Sequence, residues 1–221
     1  MQTPSYRMIL VALFVTTLII SNIIAVKIGS FFGFFLPVAV VVFPLSYILG
    51  DIITEVYGYD TMRRVIWTGF LCNLIAVAAI WLGNVIPAAP FYTGQEAYNA
   101  ILGSTPRILG ASFVAYLIGA FTNAAILSRI KVKTKGKHLW LRTISSTIVG
   151  EGLDSLVFIT IAFAGIFSTA QVMTLVLTQW LFKIGVEILA TPLTYGTVGW
   201  LKRREQTDAF DTSVSLNPFR F

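Results

Sequence analysis

The 221-residue chain is 56% hydrophobic and only 12% charged, about half the charged share of a soluble domain, and its mean hydropathy is +0.80. These values exclude an ordinary soluble enzyme and point to an all-α integral membrane protein, whose spans each need roughly 20 apolar residues. One cysteine and one histidine argue against an internal disulfide and a zinc cluster, so no metal or cofactor is expected.

The first hydrophobic segment, 8–27, follows MQTPSYR and ends without a small-residue cleavage site. It reads as a retained span and not as a signal peptide. The second, 36–57, carries Pro44, Gly50, Asp51 and Glu55. Segments 65–86 and 108–128 follow, with Cys72 reading as a buried, inert thiol. Segment 143–166 holds STIVGEGLDSLVF, in which Glu151 and Asp154 interrupt an apolar run, and segment 172–200 holds Lys183 and Glu187. Six transmembrane helices are therefore predicted over a domain at 1–201. A polar tail at 202–221 reads as poorly ordered apart from an NPF end that docks on the cytoplasmic face.

The net charge of +6 would suit a nucleic-acid partner, but its distribution reads as topology instead. Arg7, Arg63, Arg64, Arg129, Lys131, Lys133, Lys135, Lys137, Arg142, Lys202, Arg203, Arg204 and Arg220 fall on one side of the spans. Lys27 and Arg107 fall on the other. The positive-inside rule then places both termini in the cytoplasm, with the KVKTKGK run as a solvated topology signal.

At about 1.5 Å per helical residue, Asp51, Glu151, Asp154, Lys183 and Glu187 converge on one slab between the midplane and the cytoplasmic third of the membrane. Glu55 lies close to the cytoplasmic interface. Each charge at a helix centre costs roughly 2.5–3.5 kcal/mol on insertion scales, so these groups must face inward and find partners, protons, water or a ligand. Asp51 with Glu55, Glu151 with Asp154, and Lys183 with Glu187 each share a helix face. An ion pair of Lys183 with Asp154 is the expected packing contact, and it leaves acids over.

Asn22, Asn73, Asn123, Ser146 and Gln179 add polar groups to the spans. The expected substrate-binding set is Asp51, Ser146, Glu151, Asp154, Lys183, Glu187, Asn22, Asn73 and Gln179. Asp51 and Glu55 are the candidates for proton coupling, because burial disfavours the charged form of a surplus carboxylate. Gly150 and Gly152 remove bulk on both sides of Glu151. Pro44, Gly50 and Pro192 are expected to interrupt their helices beside a cavity. Phe158, Trp180 and Phe182 are candidates for stacking on a planar ligand.

Three blocks, GDIITEVYGYDTMRR at 50–64, RTISSTIVGEGLDSLVF at 142–158 and QWLFKIGVEILATPLTYG at 179–196, resemble the queuosine precursor transporters, a group often placed with the vitamin uptake transporters. The resemblance implies a carrier in the bacterial inner membrane that imports 7-cyano-7-deazaguanine and its aminomethyl relative. The family pattern falls on Asp51, Ser146, Gly150, Asp154 and Lys183, whereas Glu55, Glu151 and Glu187 depart from it. Such a base offers a ring N–H and an exocyclic amine side by side, which a carboxylate accepts in a bidentate manner. Glu151 is the expected reader of that edge, with Glu187 and Asp51 behind it.

A stand-alone carrier is the leading reading, with the lipid bilayer and a planar base as partners and a homo-oligomer compatible with it. The alternative is the substrate-capturing subunit of an ATP-driven complex, since no Walker motif occurs in the chain. An intramembrane enzyme would need a dyad such as Asp51 with Asp154, because His138 lies in the basic connection. No enzymatic activity is expected.

Overall fold

The computed structural model describes residues 6–31, 34–103 and 106–220. Met1 to Ser5 ahead of the first span, Phe32 and Gly33 in the first connection, Ser104 and Thr105 in the third, and Phe221 lie outside the described residues. Seven α-helices run through the described residues: α1 (Arg7–Ile24), α2 (Phe43–Tyr57), α3 (Tyr59–Val85), α4 (Gln95–Leu102), α5 (Pro106–Lys133), α6 (Leu139–Phe163) and α7 (Thr169–Glu205). Five of them, α1, α3, α5, α6 and α7, are long and apolar enough to cross a membrane. Both described ends of the bundle meet on one face, where the Tyr6 amide donates to Glu205 and the Tyr6 and Trp200 rings pack edge to face. This face also carries Arg63, Lys131, Arg142 and Lys202 and is called the basic face below.

The second segment departs from the expected full-length span. Its first residues pair instead as an antiparallel hairpin, β1 (Ile28–Phe31) with β2 (Phe34–Pro37), and a 3-10 turn at Val38–Val41 leads into α2. The 15 residues of α2 cover only about 22 Å. The helix is enclosed, packed against α1, α3, α5 and α7, with every residue from Ser46 to Val56 buried except half-buried Leu49. Non-helical backbone at membrane depth is tolerated where protein surrounds it.

The expected interruptions do not occur. Pro44 sits in the first turn of α2, where its missing N–H has no helical partner to lose. Gly50 lies within the continuous helix and admits Met62 and Phe14 against the backbone. Pro192 is likewise inside the continuous 37-residue α7. The break falls at Gly58, whose φ of +84° favours glycine and separates α2 from α3.

Small residues set the tightest contact. Ala111, Ala115, Gly119 and Asn123 recur every fourth residue along one face of α5, and Gly150 and Asp154 oppose them on α6. A Cβ on Gly119 would come within 2.7 Å of the Asp154 Cβ, and one on Gly150 within 2.7 Å of the Asn123 Cβ. Close approach through small residues is how helices gain packing energy in lipid. Gly150→Val is therefore expected to force the pair apart and cost about 1–3 kcal/mol, read as a lowered melting temperature in detergent.

The segment after α7 is ordered against the basic face. The Asp211 carboxylate accepts from the Tyr59 amide at 2.9 Å and from the Ser128 hydroxyl at 2.6 Å, so it caps α3 from outside the helix. Arg63 donates to the carbonyls of Ser215 and Asn217, and Trp67 to that of Pro218. The NPF end docks as expected, and the residues before it dock with it.

Candidate functional site

Three helices, α2, α6 and α7, carry the intramembrane charges. Glu151 and Asp154 lie one turn apart on α6, and Lys183 reaches them from α7, its ammonium 2.9 Å from Glu151 Oε2 and 2.5 Å from Asp154 Oδ2. The expected ion pair is thus a triad with two acids. Lys183 also stands 5.2 Å from the Phe43 ring centroid and 5.9 Å from that of Tyr47, both on α2. These rings face the ammonium with their electron-rich faces, an attraction that strengthens as water is excluded.

Beside the triad is a cavity of about 40 Å³. Glu151 and Asp154 line it together with Asn123 and the aromatic residues Phe14, Phe43, Tyr47 and Tyr116. A single water needs about 10–15 Å³ by this measure, so the space holds a few waters and no bicyclic ring. The aromatic residues expected to stack lie elsewhere. Phe158 packs on Phe163, and the Trp180 indole donates to the Ile148 carbonyl over Gly152. Gly150 and Gly152 thus admit neighbouring protein groups to α6.

Among the described residues, the intramembrane acids Asp51 and Glu187 have no ion-pair partner. Asp51 is fully buried, and its Oδ1 accepts from the Asn123 amide at 2.6 Å while Oδ2 has no hydrogen-bond partner. Glu187 is fully buried with neither oxygen bonded. Thr147 and Ser155 on α6 also carry buried hydroxyls without a partner. Buried polar groups are bonded in the great majority of cases. These unpartnered groups stand on α2, α6 and α7, the triad residues being on α6 and α7.

The remaining candidates separate from this group. Asn22 donates to Asn73 at 2.8 Å and accepts from Ser112 at 3.3 Å, joining α1, α3 and α5. Ser112 lies about three turns, roughly 16 Å, from Asn123 along α5. Ser146 is buried and turns its hydroxyl back to the Thr143 carbonyl. Gln179 is half-buried near Trp180.

Glu55 belongs to a second cluster, one turn along α2 toward the basic face. Arg142 forks onto its carboxylate at 2.6 and 2.8 Å, Lys202 contacts it at 2.5 Å, and Lys131 lies 3.4 Å away. Lys131 and Lys202 also hold Asp208 at 2.6 and 2.9 Å. Lys131 and Arg142 are buried, so two residues read as solvated topology signals are internal. Burial pushes the Asp208 carboxyl up, but hydrogen bonds from Lys131 and Lys202 prevail and hold it below its ordinary value of 3.8. The depressed value means that its contribution is complete at neutral pH and is lost as pH falls through that value. The segment around Asp208 is accordingly expected to resist proteolysis at pH 5 and to lose protection only below about pH 3.8.

On the opposite face, Arg107 at the start of α5 donates to the carbonyls of Ile161 and Ala164 at 2.5 and 2.6 Å. It satisfies the free carbonyls at the end of α6 and clamps those two helices together there.

Residues 37–197 match the family model described as "Putative vitamin uptake transporter". The chain is 25% identical over 190 residues to a "Probable queuosine precursor transporter" of Bacillus subtilis, covering 85% of this chain and 82% of that one. It is 26% identical over 206 residues to a "Queuosine precursor transporter" of Escherichia coli, covering 89% of each. A Haemophilus influenzae protein with the same description as the first is 26% identical over 159 residues, 71% of this chain and 65% of that one. No solved structure matches significantly.

Proposed function

We propose, from the premise that this multi-pass membrane chain belongs to the vitamin uptake transporter family, that it imports queuosine precursors of the 7-deazaguanine type across the bacterial inner membrane. The observation that carries this reading is the Lys183–Glu151–Asp154 triad on the wall of a small cavity, with the unpaired acids Asp51 and Glu187 close by. A planar base with a donor edge and a carbonyl needs acceptors and one cation, and both are present. The described ends share the basic face, which the positive-inside rule assigns to the cytoplasm. In this reading α2, enclosed by its neighbours, is the sixth crossing.

Admission of a bicyclic base requires the helices around the cavity to separate and close again, which is alternating access. Proton coupling belongs to the same proposal. A buried carboxylate without a counter-ion costs several kcal/mol, and taking up a proton removes that cost. Asp51 and Glu187 are in that position, whereas Glu55 is held by three cations and suits an anchoring role.

The test is uptake of labelled 7-cyano-7-deazaguanine by liposomes containing only the purified chain. Accumulation above protein-free vesicles, increased by an acidic exterior, is the expected result. Uptake that appears only when an ATPase partner is added would replace the carrier with a substrate-capturing subunit. Uptake indifferent to the gradient would remove proton coupling.

A further inference from the structure

The expected edge reader was Glu151, but the triad changes what that residue has to offer. Its Oε2 is already engaged by Lys183 at 2.9 Å, so bidentate acceptance by Glu151 would have to share that oxygen between the ammonium and the base. The unengaged acceptors belong to Asn123, which lines the cavity, and to Asp51, which is hydrogen-bonded to it. In its ionised form Asp51 only accepts, and Oδ1 accepts from Asn123, which fixes the amide so that Nδ2 faces Asp51 and Oδ1 points away. Asn123 Oδ1 and Asp51 Oδ2 are both buried and both without a partner, and Asn123 lines the cavity.

We infer that Asn123, positioned by Asp51, is a specificity-determining residue whose carbonyl oxygen accepts from the exocyclic amine of the base, while Asp51 Oδ2 accepts from the adjacent ring N–H. The inference rests on the reading of the protein as a 7-deazaguanine carrier and assigns the recognition of the guanine-like edge to this hydrogen-bonded pair. One carboxylate oxygen and one amide oxygen are the acceptors this pair leaves free, matching in number two adjacent donors. Neither has another bond to give up. A ligand without the amine leaves Asn123 Oδ1 buried and unpaired, which is the condition under which a polar site rejects an analogue strongly. The close packing of Asn123 on Gly150 holds the amide on the rigid α5–α6 contact.

The experiment compares binding of 7-cyano-7-deazaguanine with binding of the analogue that carries hydrogen in place of the exocyclic amine, using wild type, Asn123→Ala and Asn123→Ser in detergent. Wild type is expected to prefer the amine-bearing base by at least about tenfold. Asn123→Ala should bring the two affinities within about twofold by weakening the amine-bearing ligand alone, since the ring N–H and its acceptor are common to both. Asn123→Ser, which keeps a small polar group against Gly150, provides the same reading if the alanine variant does not fold. A ratio preserved in the variants, or an equal loss for both ligands, would overturn the inference and leave Asn123 as a packing residue. Failure of wild type to bind either base would instead overturn the functional reading, and this inference with it. Glu151→Gln serves as the contrast, expected to weaken both ligands alike.

Discussion

Lys183→Met is expected to reduce uptake to background and to destabilise the protein by about 3–5 kcal/mol, the range for removing one partner of a buried ion pair. Its ammonium is the shared counter-ion of Glu151 and Asp154 at 2.9 and 2.5 Å. Without it both acids face a cavity lined largely by aromatic rings. The two losses separate in the triple variant Lys183→Met, Glu151→Gln, Asp154→Asn, which has no charge left to compensate. It should recover most of the melting temperature and none of the uptake. Wild-type uptake in Lys183→Met would show that the lysine takes no part in substrate handling.

Glu55→Gln is expected to have the largest effect on stability alone. The carboxylate it removes sits among Arg142, Lys202 and Lys131, which come from three different helices. Once it is neutral, three cations face one another with only half-exposed Asp208 between two of them. A loss of about 3–5 kcal/mol follows by the same reasoning, seen as a lower melting temperature and poor recovery of monodisperse protein. Arg142→Met should cost less, because Lys202 and Lys131 remain on Glu55. A Glu55→Gln protein that melts like wild type would show that the cluster contributes nothing to the fold.

Membrane class was legible in composition, since apolar runs of span length leave few alternatives. Helix positions followed from hydrophobicity and charge. The full-length second span did not survive, because hydropathy at 36–42 is the same for a helix and for a hairpin followed by a 3-10 turn. The enclosure of α2 by its neighbours is a tertiary property that hydropathy does not carry. The proline readings failed for a related reason: Pro44 and Pro192 disfavour a helical bond locally, and position and packing decide whether the helix yields.

Within the candidate site, depth arithmetic brought Glu151, Asp154 and Lys183 to one level, and their contact follows from that. Depth says nothing about rotation, so it could not distinguish Asn123, which faces Asp51, from Asn22 and Asn73, which face each other. Lys131 and Arg142 were hidden by their neighbours in sequence. Both stand in one run of basic residues, and their burial became visible only with their partners in place, Asp208 and Ala209 on Lys131 and Glu55 on Arg142.

That placement fixes an order of assembly. Asp211 caps the first turn of α3 and Asp208 joins the Glu55 cluster, yet both leave the ribosome after every helix they join. The start of α3 therefore enters the membrane uncapped and waits while α5, α6 and α7 are made, and Lys131 at the end of α5 stays short of one acidic partner while α6 and α7 are made. The basic face closes last, which makes newly inserted protein more open to proteases and quality control on that side than the finished fold.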